Sequence, residues 1–160
     1  MNERQTTLCY LEKDGRYLMM HRIKKEHDEN HDKWVGVGGK LEPGETPEQC
    51  LLREVREETG LTLLSHRYRG IVRFDSDIWG VEFMHLYTAD RWEGELLPDS
   101  PEGSLEWIEK SRVNELPIWE GDKVFFDLLN REYPFFELEL YYKGDVLVRS
   151  VLDGKELSQD

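Results

Sequence analysis

Apolar and polar positions alternate through the first third of the chain and then give way to a longer helical rhythm. Residues 6–11 and 16–23 are apolar-rich runs on either side of Lys13-Asp14-Gly15. Asp-Gly between two such runs predicts a hairpin, because the tight turn needs positive φ at its centre. Residues 24–33 are charged and rich in His and Asp, which predicts a loop. Residues 34–38 read as a short strand ending in a Gly-Gly turn. Residues 61–74, 81–89 and 105–109 are further strands, rich in β-branched and aromatic side chains. Residues 119–130 carry Val124, Phe125, Leu128 and Leu129 at helical spacing. A second hairpin is expected where residues 135–142 and 146–152 flank Lys143-Gly144-Asp145.

One more helix is marked at both ends. Thr46 can cap it, Pro47 suits its first position, Gln49 can reach back to the cap, and Gly60 is a natural stop. The helix therefore spans about residues 47–59. At about 100° per residue, Leu51, Leu52 and Val55 share a face that should pack on the sheet. Strands and helices mix without strict βαβ alternation. The expected class is α+β, a mixed sheet packed in a sandwich, rather than a doubly wound parallel sheet.

At 160 residues the chain suits one domain, residues 1–160. Charged residues make up 34%, but 11% aromatic residues argue for a packed interior. The formal net charge of -13 opposes binding to nucleic-acid polymers and anionic membrane surfaces. A phosphate-bearing partner would need a local basic patch or bridging cations. Cys9 and Cys50 make no disulfide framework and no zinc-ligand spacing, so free thiols in a reducing compartment are expected. The first residues lack a basic-then-apolar signal pattern, and no run approaches the roughly 20 apolar residues of a membrane span. The expected setting is soluble and cytoplasmic, and oligomeric state is not legible.

The capped helix crowds glutamates together, and neighbouring like charges cost stability. Glu54, Glu57 and Glu58 stand at i, i+3 and i+4, so their carboxylates converge on one face. Such a cluster suits a hard divalent cation, Mg²⁺ first, with Mn²⁺ as a substitute. It also suits a face that simply meets water. Arg53 precedes Glu57 by four residues and can pair with it. The loop before the helix tips the balance towards a ligand. Gly36, Gly38, Gly39 and Gly44 leave the backbone open to close approach, and Lys40 adds a positive charge. His21, His27 and His31 fit no compact metal site, and a solvated loop accounts for them.

These residues resemble a known family. Gly39, five residues, Glu45, seven residues and then Arg53-Glu54-Val55-Arg56-Glu57-Glu58-Thr59-Gly60-Leu61 match every fixed position of the Nudix box, G-x5-E-x7-R-E-U-x-E-E-x-G-U with U aliphatic. The resemblance implies the Nudix fold, a mixed β-sheet sandwiched between α-helices. It implies hydrolysis of a diphosphate bond in a nucleoside diphosphate derivative. By position, Glu54, Glu57 and Glu58 would hold catalytic metal, with the Gly39 carbonyl as a further ligand. Arg53 would orient a carboxylate and Glu45 would brace the loop against the helix. Asp99-Ser100-Pro101-Glu102-Gly103 resembles the later acidic loop of many members, which makes Glu102 a candidate ligand or general base.

The segments "KWVGVGGK", "MHLYTAD", "LPIWEGDKVFFDLL" and "FFELELYYKGD" resemble the MutT-like subgroup of 8-oxo-dGTP diphosphatases, the oxidised purine nucleoside triphosphatases. That likeness implies release of a nucleoside monophosphate and pyrophosphate, a sanitation of the nucleotide pool that protects DNA. Trp119 and Asp122 would grip the purine, with Phe74, Trp79 and Met84 as pocket walls. Arg22, Lys24 and Lys40 would meet the phosphates. Val35 stands where better-known members carry a base-reading asparagine, and Gly121 where a second acid would help. Ordinary nucleoside triphosphates, dinucleoside polyphosphates, nucleotide sugars or an RNA 5′ end are alternative substrates. A nucleotide-sensing module without catalysis is a further alternative.

Overall fold

The computed structural model describes residues 3–23 and 30–158. Its strands are β1 (Glu3–Lys13), β2 (Arg16–His21), β3 (Trp34–Val35), β4 (Val37–Lys40), β5 (Thr62–Ser76), β6 (Gly80–Glu93), β7 (Ser104–Glu109), β8 (Phe136–Lys143), β9 (Val146–Leu152) and β10 (Lys155–Glu156). The helices are α1 (Pro47–Thr59) and α2 (Glu120–Asn130), with a 3₁₀ segment at Lys110–Glu115.

The strand order is β10-β9-β8-β5-β6-β1-β2-β3, with β4 also on β1 and β7 on β2. β1 is the branch point. Its middle pairs antiparallel with β4 (Leu8 opposite Gly38), and its end turns into β2 (Lys13 opposite Arg16). On its other side it runs parallel to β6. β5 and β8 are also parallel, so the sheet is mixed. Both hairpins form where Asp-Gly and Lys-Gly-Asp stand. Asp14 and Gly15 have φ of 52° and 74°, and Gly144 has 60°, the left-handed geometry such turns demand.

Both faces of this sheet are covered, and strand alternation divides the core. Cys9, Leu11, Leu18, Met20 and Val37 pack with Leu51 and Val55 of α1. Tyr10, Tyr17 and Met19 turn the other way and meet Phe125, Phe126 and Leu129 of α2. The α+β sandwich expected from the sequence is therefore present.

Helix α1 begins and ends as its residues dictate. Thr46 Oγ1 accepts the Gln49 N–H at 3.1 Å, while Gln49 Oε1 accepts the Thr46 N–H at 3.0 Å. Gly60 closes the helix in the left-handed region at φ 80°. Two expectations need correction. Leu52 does not join the core but lies 38% exposed, and Cys50 takes its place beside Leu51 and Val55. Gly38 and Gly39 do not form a turn either: they lie within β4, opposite Leu8 and Thr7. Their lack of a side chain serves close approach. A Cβ at Gly38 would overlap the Thr7 carbonyl, and one at Gly39 would overlap the Glu54 carboxylate.

Candidate active site

The loop and helix of the box are tied by one arginine. Arg53 Nε and Nη2 donate to the two oxygens of Glu45 at 2.7 and 2.9 Å. This fork is the strong, geometry-fixing form of an ion pair. It holds the Glu45 carboxyl down at about 2. Glu45 also accepts the Glu42 N–H at 2.9 Å, and Arg53 Nη2 donates to the Lys40 carbonyl at 3.2 Å. Arg53 Nη1 then reaches Glu54 at 3.2 Å and Glu57 at 3.1 Å.

The three helix carboxylates stand close but are held by different donors. Glu54 and Glu57 share Arg53 Nη1, whereas Glu58 turns inward to accept the Gly38 N–H at 2.8 Å. Among the described residues no three His, Cys, Asp or Glu side chains close on a common point as a ready metal cage. The convergence expected from helical spacing is thus partial, because Arg53 draws two of the carboxylates one way and the β4 amide draws the third another. Burial, aided by its hydrogen bond with Glu57, lifts Glu54 to about 7. Burial and the charge of Glu54 lift Glu58 to about 8. A half-buried Glu54 and a buried Glu58, both with raised proton affinity, form a hard-oxygen set that a divalent cation would fit. The Gly39 carbonyl stands with them, accepting a weak bond from the Cys50 thiol at 3.5 Å. Both cysteines are free and buried.

Glu102 precedes β7, and its carboxylate lies 3.7 Å from Arg22, just beyond β2. It adds to the negative field at Glu58, which Arg22 relieves. Gly103 supports this loop, since a Cβ there would collide with the His21 carbonyl. The structure therefore brings Glu54, Glu58, Glu102 and Arg22 into one neighbourhood.

From that neighbourhood a cavity of about 320 Å³ runs towards α2. Arg22, Gly38, Gly39 and Lys40 line one part; Phe74, Trp79, Met84, Trp119 and Asp122 line another. The pocket residues picked from the sequence thus share one space. Asp122 is buried, and burial pushes its carboxyl up to about 8, with the charge of Glu82 adding to the effect and Lys33 opposing it. Trp119 stands at the N-terminus of α2, with its indole N–H donating to Asn30 Oδ1 at 2.8 Å and Lys33 Nζ over its ring at 4.6 Å. Gly121 has no room for an acid. A Cβ there would sit 2.5 Å from Leu140 Cδ1 and 2.7 Å from the Tyr142 hydroxyl. Lys24 and His27 lie outside the described residues. Among the described residues His21 joins no metal cluster: it stacks on Trp34 at 4.6 Å and meets Asp32 at 2.8 Å.

The sequence reading leaves out Asn30, Lys33, Glu82, Thr6 and Tyr142, which surround the same cavity or the residues that line it. A signal existed for Glu82. It stands two residues before Met84 on a strand, so period-2 alternation puts both on one face.

The NUDIX domain model matches residues 1–129. The chain belongs to the Nudix hydrolase family. A Nudix hydrolase from Bacillus subtilis named YvcI, itself uncharacterised, is 30% identical over 129 residues, 78% of each chain. The oxidised purine nucleoside triphosphate hydrolase of Danio rerio is 32% identical over 152 residues, 94% of each. The crystal structure of a mutator MutT protein from Bacillus halodurans superposes with a TM-score of 0.83 at 30% identity, covering 95% of this chain and 99% of that one. The chain is accordingly a MutT-like Nudix hydrolase with the Nudix fold, acting on pyrophosphate bonds of nucleotide derivatives. Nudix hydrolases work with divalent metal ions. No helix among the described residues is long and apolar enough to cross a membrane.

Proposed function

We propose that this Nudix hydrolase cleaves purine nucleoside triphosphates, oxidised purines such as 8-oxo-dGTP foremost, to the monophosphate and pyrophosphate. Its role would be to clear damaged nucleotides in the cytoplasm, with residues 1–160 as one catalytic domain. The observation that carries this reading is the single cavity joining Gly38, Gly39 and Lys40, beside the carboxylates, to Trp119 and Asp122. The Danio rerio relative supports it by its name and its near full-length match.

Glu54, Glu57 and Glu58, with the Gly39 carbonyl and Glu102, would hold Mg²⁺ or Mn²⁺. The bound cation would neutralise the anionic diphosphate and activate water. The remaining work falls to the chain. Arg53, forked onto Glu45, fixes the loop and steers Glu54 and Glu57. Arg22 and Lys40 present positive charge where phosphates enter. Glu102, beside Arg22, would serve as ligand or take a proton from water. Trp119 offers an indole face for the base. Asp122, protonated below about pH 8, offers an O–H to a purine carbonyl.

A pH signature follows. Burial raises the Asp122 pKa, so the side chain is neutral below about 8 and charged above it. KM for a purine triphosphate is expected to rise as pH passes through about 8. Asp122→Asn stays neutral at all pH and should flatten that rise. Parallel KM-pH curves for the two proteins would remove Asp122 from base recognition. Substrate class is tested by product analysis over a nucleotide panel, taken up at the end of the Discussion.

A further inference from the structure

Gly121, next to Asp122 on α2, is packed against Leu140 and Tyr142 and cannot supply a second acid to the base end of the cavity. Another element does supply one. Arg4, Thr6 and Leu8 of β1 and Gly80, Glu82 and Met84 of β6 all line the cavity. They are alternate positions on two parallel neighbours, with Arg4 opposite Glu82 and Thr6 opposite Met84. Period-2 alternation therefore turns Glu82 towards the cavity floor that these two strands form, in the space that Trp119 and Asp122 also line.

Glu82 is anchored there. Thr6 Oγ1 donates to its Oε2 at 2.6 Å, and Arg4 stands 3.5 Å from its Oε1. Its side chain is 19% exposed, so it is largely withdrawn from water and still borders the cavity. Thr6 and Arg4 both meet it as donors, which suits a group that accepts. Its charge also helps hold the neighbouring Asp122 protonated. The floor thus presents two unlike groups: a neutral acid that can donate and a carboxylate that only accepts.

We propose that Glu82 is a specificity-determining residue that selects a purine with a guanine-type edge. In this arrangement the Glu82 carboxylate accepts from the N1–H and the 2-amino group, while Asp122 donates to the 6-oxo group. An adenine edge has its donor and acceptor reversed: the Asp122 carboxyl can still accept from the 6-amino group through its carbonyl oxygen, but the acceptor-only Glu82 carboxylate would face the N1 lone pair. Such mismatched buried polar groups are what discrimination is built from. This inference rests on the reading of the cavity as a purine site.

The test compares kcat/KM for 8-oxo-dGTP, dGTP and dATP in the wild type, Glu82→Gln, Thr6→Val and Asp122→Asn. Glu82→Gln keeps the size of the side chain and an oxygen for Thr6, but its amide can also donate. It is expected to lower kcat/KM for the two guanine-type substrates about tenfold, chiefly through KM, since charged hydrogen bonds are the costly ones to lose. The dGTP:dATP preference should fall by a similar factor. Thr6→Val, which removes only the anchor, should move the preference the same way by less. If Glu82→Gln changes both substrates equally or not at all while Asp122→Asn still shifts the ratio, the assignment of Glu82 is wrong and the purine pocket stands. If neither substitution nor Trp119→Ala alters any KM, the purine reading and the assignment fall together.

Discussion

Glu57→Gln is expected to lower kcat on the order of 10²–10³-fold while leaving thermal stability almost unchanged. The side chain is 56% exposed and, among the described residues, its ion pair is with Arg53. Exposed pairs of this kind contribute little to folding, so the free energy of unfolding should stay within about 0.5 kcal/mol. Stability gives such a residue no reason to sit between Glu54 and Glu58, where it adds repulsion. Chemistry does, because a group aimed at developing or metal-borne charge counts most in the transition state. Turnover and unfolding measured on one preparation separate the two roles. Full turnover in Glu57→Gln would move the catalytic burden to Glu54, Glu58 and Glu102.

Gly39→Ala carries the second large effect, and its neighbour provides the contrast. A methyl group at residue 39 would land on the Glu54 carboxylate, the movable end of a side chain. The fold can absorb that shift, but the carboxylate leaves its place beside the cavity. A loss of about a hundredfold in kcat is expected with the melting temperature nearly kept. At residue 38 the same methyl meets the Thr7 carbonyl, which belongs to the β1 backbone and cannot swing aside. Gly38→Ala should therefore destabilise the protein by about 1–3 kcal/mol, as overpacking does. It should also disturb the amide that binds Glu58. Equal behaviour of the two variants would contradict the placement of Glu54 against β4.

What could be read from the sequence was whatever is set by near neighbours in the chain. Thr46, Gln49 and Gly60 fix the ends of α1 through contacts three or four residues away. Asp14-Gly15 and Gly144 mark their hairpins for the same reason. The box itself spans residues 39–61, and its Arg53–Glu57 contact is an i, i+4 pair. Features set by distant partners were harder. Glycine serves both turns and close approach, and only the pairing of β4 with β1 shows that Gly38 and Gly39 serve the second. Leu52 is apolar yet exposed because the sheet lies towards Cys50 and Leu51. Glu82 meets Thr6 across 76 positions, and Trp119 meets Asn30 across 89, so no local pattern announces either contact. The base end of the cavity is assembled almost wholly from such contacts, whereas the carboxylate end is carried by one helix and the loop before it.

The most direct measurement is product analysis with and without Mg²⁺ over 8-oxo-dGTP, 2-oxo-dATP, the four ordinary dNTPs, ADP-ribose and a diadenosine polyphosphate. Metal-dependent release of pyrophosphate and a nucleoside monophosphate is expected, fastest for 8-oxo-dGTP and dGTP. Efficient cleavage of ADP-ribose or the dinucleotide, with the triphosphates left intact, would contradict it.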